Sequence, residues 1–246
     1  MSVILASSRG EGLQGYLPAG TTVTFIPGAK LADLTDKAKA IIPPPSSRII
    51  KRTHVYFLCG VPDLSKLEKS YNPKYRECIF DKDPSALADQ YKNQLRSTQQ
   101  EILRHGALPI FPTIPKFSLE IYNNHQLEKN NTSYLKHQEN YKQMQSDLDS
   151  VIDSVNSYIH ILNKSINVST PFLHNTIRQR RGSHPNRYYI QQYEKFRDGL
   201  HASDSLCIRW AEVLSIAIQK NSGLEDSDDE GSQKRSWRSS KRQRVE

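Results

Sequence analysis

Ser8 is the first residue whose position in the sequence suggests chemistry. It follows a short apolar run from Val3 to Ala6, and two glycines come within the next four residues. This pattern predicts a buried strand that ends in a tight turn. Open α/β sheets place their ligands at the carboxyl ends of such strands, where backbone N–H groups can meet an anion. Ser8 is therefore a candidate nucleophile; the alternative is that Ser7 and Ser8 cap a following helix.

A carboxylate and an imidazole stand close together near the end of the chain. Asp198 and His201 are three residues apart in a segment that contains Gly199, just before a predicted last helix from Ser203 to Gln219. A carboxylate at this spacing can orient the imidazole, and an oriented imidazole can take the proton of a serine hydroxyl. Ser8, His201 and Asp198 are thus the predicted members of a catalytic triad.

A second cluster combines arginines with tyrosines. Arginines pair with phosphates and aromatic rings stack on bases, so the cluster predicts a nucleic-acid contact; a solvated basic loop is the alternative. Its members are Arg178, Arg180, Arg181, Arg187, Tyr188 and Tyr189.

The C-terminal segment, residues 221–246, is predicted to be a disordered tail. It has almost no apolar residues, and an acidic block precedes a basic one, so it cannot bury enough surface to offset its ordering entropy. Lys241, Arg242, Gln243 and Arg244 have the form of a nuclear-import signal. This predicts an import receptor as a partner and a nuclear location, with the cytoplasm as a second one. A generic charged terminus is the alternative.

Composition limits the remaining possibilities. The chain has 246 residues, of which 36% are hydrophobic, enough for one α/β domain over residues 1–220. The tail carries six basic and six acidic residues, so the formal charge of +8 lies on the domain and favours a polyanionic partner. Three widely separated cysteines suggest neither disulfides nor zinc, which predicts an intracellular protein. We expect no signal peptide and no membrane span.

Apolar runs alternate with amphipathic segments along the chain. This order predicts a three-layer α/β/α sandwich with a mainly parallel, five-stranded sheet. Leu64 to Asp83 is interpreted as an irregular excursion. The predicted strands are Val3 to Ala6, Thr21 to Ile26, His54 to Cys59, Ala107 to Ile114 and Asn167 to Leu173; the predicted helices before the last one are Lys30 to Ile41, Pro84 to His105 and a long one containing Met144 to Leu162.

Taken in chain order, these residues make the chain resemble a divergent member of the SGNH or GDSL hydrolases. These are esterases and lipases of flavodoxin-like topology. The resemblance covers residues 1–219. The family's Gly-Asp-Ser block matches Ala6-Ser7-Ser8, its second-block glycine matches Gly28, its Gly-x-Asn-Asp block matches Gly60 to Asp63, and its Asp-x-x-His block matches Asp198 to His201.

The resemblance implies a serine esterase that acts on a small ester or acetylated substrate and needs no metal or organic cofactor. Ser8 would be the nucleophile, His201 the base and Asp198 its orienting carboxylate, while the N–H groups of Ser8 and Gly28 would bind the oxyanion. Pro62 replaces the family's asparagine and cannot donate a hydrogen bond. The loss of one such donor costs on the order of 10²–10³ in turnover, so the oxyanion hole is expected to be weak. Asp63 is expected only to anchor its loop.

The alternative function is a catalytically degenerate domain of the same fold. Such a domain would bind a nucleic acid such as RNA, through the arginine and tyrosine cluster, or a protein.

Overall fold

A parallel four-stranded sheet forms the centre of the computed structural model, which describes residues 1–42, 52–70, 76–130, 135–183 and 187–223. Its strands are β1 (Ser2–Ala6), β2 (Thr21–Phe25), β3 (His54–Leu58) and β6 (Leu108–Ile110), in the order β2-β1-β3-β6. Ser2 lies opposite Thr21 on one side and His54 on the other, and His54 in turn pairs with Leu108. β6 lies at an edge of the sheet, where Pro109 within the strand, which has no N–H to donate, is tolerated.

The two central strands bury every residue because both faces of the sheet are covered. Val3 and Leu5 belong to a core that includes side chains of α1, α3 and α5. Ile4 and Ala6 point to the opposite face, where they share a second core with α6. The predicted three-layer arrangement is confirmed for a four-stranded sheet. The helices in the described residues are α1 (Leu31–Ile41), α2 (Val61–Leu64), α3 (Pro84–Arg104), α4 (Leu119–Asn130), α5 (Tyr141–Ser165) and α6 (Asp204–Asn221).

The local sequence explains where the helices start. Asp83 caps α3 by accepting a hydrogen bond from the Ala86 N–H at 2.7 Å, and Pro84 occupies the first helical position. Ser203 caps α6 through the Leu206 N–H at 3.4 Å. The predictions for α1, α3, α5 and α6 are confirmed to within a few residues.

The predicted fifth strand, Asn167 to Leu173, is wrong. The backbone that continues from β6 is paired with asparagine side chains of α5 instead of with a strand. Asn163 accepts from the Phe111 N–H at 3.1 Å and donates to the Phe111 carbonyl at 2.8 Å, and Asn156 makes the same pair of bonds to Ile114 at 2.7 and 2.8 Å. Within the segment Asn167 to Leu173, Pro171 reaches this edge, where its carbonyl accepts from the Thr113 N–H at 3.0 Å.

The interpretation of Leu64 to Asp83 as irregular is also wrong. This segment contains an antiparallel pair, β4 (Lys66–Lys69) and β5 (Arg76–Ile79), whose register places Leu67 opposite Cys78. A second antiparallel pair, β7 (Arg178–Arg181) and β8 (Tyr188–Gln191), lies in the predicted arginine and tyrosine cluster.

Two other sequence predictions concern a membrane span and the C-terminal tail. None of the helices in the described ranges combines the length and the apolar character that a bilayer span requires. The predicted import signal at residues 241–244, and the tail from residue 224 onward, lie outside the described residues.

Candidate active site

One cleft at the carboxyl edge of the sheet brings together most of the predicted site. It has a volume of about 480 Å³. The ends of β1, β2 and β3 each contribute to its lining, because neighbouring parallel strands end at the same edge. The predicted residues that line it are Ser8, Gly28, Pro62, Asp63 and His201, and Tyr122 and Leu200 are among their neighbours.

The turn after β1 separates two adjacent serines. Ser7 is 1% exposed, and its backbone N–H donates to the Leu58 carbonyl of β3 at 3.0 Å. Ser8 is partly exposed and lines the cleft. Within the described residues neither serine side chain makes a hydrogen bond, and two short 3₁₀ turns (Ser8–Gly10 and Leu13–Tyr16) follow instead of an α-helix, so the interpretation of this pair as helix caps is wrong.

Asp198 and His201 form a hydrogen-bonded pair. The distance from His201 Nδ1 to Asp198 Oδ2 is 2.7 Å, and Asp198 Oδ1 also accepts from the backbone N–H groups of Leu200 at 3.0 Å and His201 at 2.7 Å. Burial alone would raise the pKa of Asp198, but these hydrogen bonds outweigh it and lower the pKa to about 2. An ionised carboxylate can only accept, so Nδ1 carries the proton. In the neutral ring Nε2 is therefore the free proton acceptor.

The backbone of this loop is held in a tight turn. The Arg197 N–H donates to the His201 carbonyl at 2.7 Å, and the Gly199 carbonyl accepts from the Ser118 N–H at 3.1 Å beside the start of α4. Gly199 has φ +83°, and a Cβ at this position would collide with the backbone nitrogen of Tyr122. Glycine is thus required here both for its conformation and for the close approach of α4.

Arg9 connects the serine turn to the histidine loop, a role that the sequence analysis did not predict. Its guanidinium donates through Nε to the Leu200 carbonyl at 3.2 Å and through Nη1 to the Pro115 carbonyl at 3.0 Å. Three aromatic rings surround the group, with centroids 5.1 to 5.9 Å from Cζ, and they belong to Phe117, Phe196 and Trp210. Arg9, which directly follows Ser8, is therefore hydrogen-bonded to Leu200, which directly precedes His201.

The burial of Arg9 is unusual for an arginine. The residue is 6% exposed, and its Nη2 atom has no hydrogen-bond partner among the described residues. Burial lowers the pKa of Arg9 to about 9, while the negative charge of Asp198 acts in the opposite direction. A charged residue in the tight turn that follows a buried strand was the available sequence signal, because such a charge must find partners inside the fold.

The N–H groups expected to bind the oxyanion are not engaged by other groups of the described structure. Within the described residues the backbone N–H groups of Ser8 and Gly28 donate no hydrogen bond. Gly28 lies in the turn after β2 with φ +72°. This turn leads into α1, whose first N–H, from Leu31, donates to both carboxylate oxygens of Asp63 at 3.2 Å. The expected anchoring role of Asp63 is thereby confirmed, and burial raises the pKa of its carboxyl to about 6.

Pro62 fits its backbone position well. It is the second residue of α2, where the N–H of any residue would lack a partner within the helix. The first bonds of this turn run from the Asp63 and Leu64 N–H groups to the Gly60 carbonyl at 3.2 and 2.8 Å. Proline is therefore compatible with the turn, and it presents no donor to the cleft.

The contact between Ser8 and His201 that a triad requires is not formed in the described structure. Ser8 and His201 line the same cleft, but in the described structure no hydrogen bond joins Ser8 Oγ to His201 Nε2. Such contacts are often long before substrate binds.

The rim of the cleft is basic, with Lys30, Lys66 and Lys82 in its lining. Within the described ranges no group of three or more His, Cys, Asp or Glu residues is arranged to hold a metal ion.

The predicted nucleic-acid residues lie elsewhere. None of the six lines the cleft, and the register of β7 and β8 places Arg180 opposite Tyr189 and Arg181 opposite Tyr188. Tyr188 and Tyr189 are 58% and 63% exposed. Arg178 lines a different groove on the surface.

Comparison with solved structures identifies the fold. The chain is similar to a GDSL-like lipase from Bacteroides thetaiotaomicron VPI-5482 (TM-score 0.52, 11% identity, covering 89% of this chain and 85% of that one). It is similar to a candidate acylhydrolase from Bacteroides fragilis NCTC 9343 (0.51, 13%, 89% and 84%). A third match is a candidate lipolytic protein of the G-D-S-L family from Desulfitobacterium hafniense DCB-2 (0.50, 9%, 88% and 98%).

Comparison of the sequence alone does not identify this fold, because no family model and no curated protein matches the chain. The structural matches confirm the expected fold, that of a divergent SGNH hydrolase.

Proposed function

We propose that this chain, which has the fold of the GDSL-type hydrolases, is a serine esterase that acts on a carboxylic ester or an acetyl group. The observation that carries the proposal is the His201 ring. Its Nδ1 is bound to an ionised Asp198, and its free Nε2 belongs to a residue that shares the cleft with Ser8.

The proposed reaction proceeds in two halves. Ser8 Oγ attacks the carbonyl carbon while its proton moves to His201 Nε2, and the carbonyl oxygen becomes an oxyanion. The intermediate collapses when His201 returns this proton to the leaving alcohol, which leaves an acyl group on Ser8. A water molecule then attacks the acyl carbon and loses a proton to His201, which passes it to the Ser8 oxygen as the carboxylic acid leaves. Asp198 stabilises the imidazolium in both halves.

The oxyanion would be held by the N–H groups of Ser8 and Gly28, both of which lack another acceptor among the described residues. Pro62 supplies no third donor. We therefore expect turnover that is lower by on the order of 10²–10³ than in an enzyme of the same geometry with that donor.

The cleft suggests the size and charge of the substrate. A volume of about 480 Å³ with Val61, Leu67 and Leu200 in its wall suits a short acyl group. Lys30, Lys66 and Lys82 favour an ester that carries negative charge. Added salt should accordingly raise the KM of an anionic ester more than that of a neutral one.

Two neighbouring serines provide a matched test. Hydrolysis of p-nitrophenyl acetate is measured for the wild type, Ser8→Ala and Ser7→Ala. We expect Ser8→Ala to fall to the background rate, because it lacks the nucleophile. Ser7→Ala, which alters a buried hydroxyl beside it, should retain most of the activity. Equal rates for the wild type and Ser8→Ala would overturn the proposal.

We also propose that residues 241–244 direct the protein to the nucleus through an import receptor. A fluorescent reporter fused to residues 221–246 should accumulate in the nucleus, and replacement of the four residues with alanine should abolish this. Equal distribution of the two reporters would contradict the assignment.

A further inference from the structure

The β7–β8 hairpin separates its arginines and tyrosines onto two faces. Side chains alternate along a strand, and directly paired residues of antiparallel strands project from the same face. Arg178 and Arg180 in β7 therefore share a face with Tyr189, which is paired with Arg180. Arg181 and its partner Tyr188 occupy the opposite face.

The first of these faces leads into a groove. Arg178 lines a depression of about 540 Å³ beside α6, which we call the basic groove. Its other cationic residues are Lys195, Arg209 and Lys220, and Glu212 is the acidic residue in its lining. The groove and the Arg178 face of the hairpin thus form one continuous surface of positive charge, remote in sequence from Ser8.

Apart from Lys195, whose Nζ donates to the Thr176 carbonyl at 2.8 Å, the cations of this surface are weakly committed to other groups. Arg178 faces Asp153 at 3.7 Å, and Arg209 pairs with Glu212 at 3.2 Å through side chains that are 70% and 55% exposed. Exposed pairs of this kind contribute little energy, so an incoming anion can replace them. In the described part of the chain, Arg180 and Lys220 take part in no ion pair. A chain of phosphates would find several available partners here.

Exposed aromatic rings accompany the charge. Tyr189 is 63% exposed on the Arg178 face, and Phe172, which is 39% exposed, lines the basic groove. Rings in such positions stack on unpaired bases, whereas the bases of a duplex are already stacked on one another. The combination of arginine with an exposed ring favours a single strand over a duplex and over a polyanion without bases.

We infer that the Arg178 face of the hairpin and the basic groove bind single-stranded nucleic acid, at a site separate from the esterase cleft. Phosphates would pair with Arg180, Arg178 and the groove cations, and bases would stack on Tyr189 and Phe172.

The two faces of the hairpin allow a matched experiment on the full-length protein. Fluorescence anisotropy measures the Kd for a fluorescein-labelled, 12-nucleotide single-stranded RNA of mixed sequence. The variant Arg180→Gln/Tyr189→Ala alters the inferred site, and Arg181→Gln/Tyr188→Ala makes the same chemical change on the opposite face. We expect the first to weaken binding by about tenfold or more and the second by less than about threefold. Equal losses, or no loss in either variant, would overturn the inference.

Salt dependence separates phosphate pairing from stacking. Arg180→Gln should reduce the slope of log Kd against log salt by about 0.7, the value for one lost phosphate contact on a single strand. Tyr189→Ala should weaken binding without changing the slope. If Tyr189→Ala binds the RNA as tightly as the wild type, or if a duplex of the same length binds as tightly as the single strand, the surface is a general polyanion surface and the inference fails. Ser8→Ala should bind RNA like the wild type.

Discussion

The Asp198–His201 loop and the β7–β8 hairpin are close in sequence but differ in how their side chains are placed. The side chains of the loop make buried contacts, whereas those of the hairpin are mostly exposed to solvent. In the loop, Asp198 accepts three hydrogen bonds, Gly199 packs against α4, and the buried Arg9 guanidinium binds the Leu200 carbonyl. In the hairpin, the arginines and tyrosines are largely exposed.

This difference matches the two kinds of work that we propose. Proton transfer between a serine and a histidine needs atoms fixed to within fractions of an ångström, and buried polar contacts supply that rigidity. A flexible, charged strand can be bound by side chains that adapt to it. Changes in one region should therefore leave the other function intact, and the following substitutions test that separation.

Asp198→Asn should produce the largest effect. An asparagine can donate to Nδ1 and so favour the tautomer that carries its proton on Nε2, where it cannot accept from Ser8. We expect kcat for p-nitrophenyl acetate to fall by on the order of 10³–10⁴ with RNA affinity unchanged. Asp204→Asn, an exposed aspartate at the start of α6, is the control. A parallel loss of RNA binding would show that the two regions are not independent.

Pro62→Asn should raise the esterase activity instead of lowering it. Because Pro62 occupies a position in α2 that needs no N–H, asparagine should be accommodated and should offer an amide donor to the cleft. We expect kcat to rise by up to about 10²–10³-fold, the value of one oxyanion donor. Pro62→Ala, which restores the backbone N–H without adding a side-chain donor, should give no such gain. If the two variants are equally active, the side chain at this position does not reach the oxyanion.

The pH dependence of stability tests the Asp198 contacts directly. Its pKa is about 2 in the folded protein against 3.8 in the unfolded chain, so its hydrogen bonds stabilise the fold above about pH 4. That contribution is lost as the pH falls toward 2, and it amounts to about 2 kcal/mol. Urea unfolding at pH 7 and at pH 2.5 should therefore show that Asp198→Asn is destabilised relative to the wild type chiefly at pH 7. A difference that is the same at both pH values would contradict this role.

Arg9 should give the smallest effect of the four, because it acts through the loop. Arg9→Met leaves the Leu200 and Pro115 carbonyls without their donor, and we expect kcat to fall by about tenfold while KM changes little. Arg9→Lys keeps the charge but not the two-pronged geometry, and should be intermediate. If both variants raise KM and leave kcat unchanged, Arg9 supports the cleft wall and does not position His201.

The sequence was most informative where buried apolar runs met polar residues. The runs before Ser8, Gly28 and Gly60 predicted three parallel strands, and the rule for carboxyl strand ends then placed these residues at one edge of the sheet. The Asp198 and His201 pair was recognisable because both partners lie in one short turn. These features depend on local spacing, which the sequence displays directly.

The sequence predictions were wrong where side chains from distant parts of the sequence form hydrogen bonds that a neighbouring strand was expected to form. Nothing near Phe111 and Ile114 indicates that Asn163 and Asn156, more than 40 residues away, occupy the bonds of a fifth strand. Similarly, Asn123 of α4 pairs with both backbone groups of Cys78 and so supports β5, whose short polar sequence gave no strand signal. The role of Arg9 also depends on aromatic rings from distant parts of the chain.

Covalent labelling of Ser8 tests the central claim most directly. A fluorophosphonate probe reacts with a serine only when a neighbouring base activates it, and mass spectrometry locates the modified residue. We expect one adduct, on Ser8, that is retained in Ser7→Ala, absent in Ser8→Ala and formed much more slowly in His201→Ala. An adduct that persists in Ser8→Ala, or a folded wild-type protein that takes up no probe, would contradict the assignment of Ser8 as an activated nucleophile.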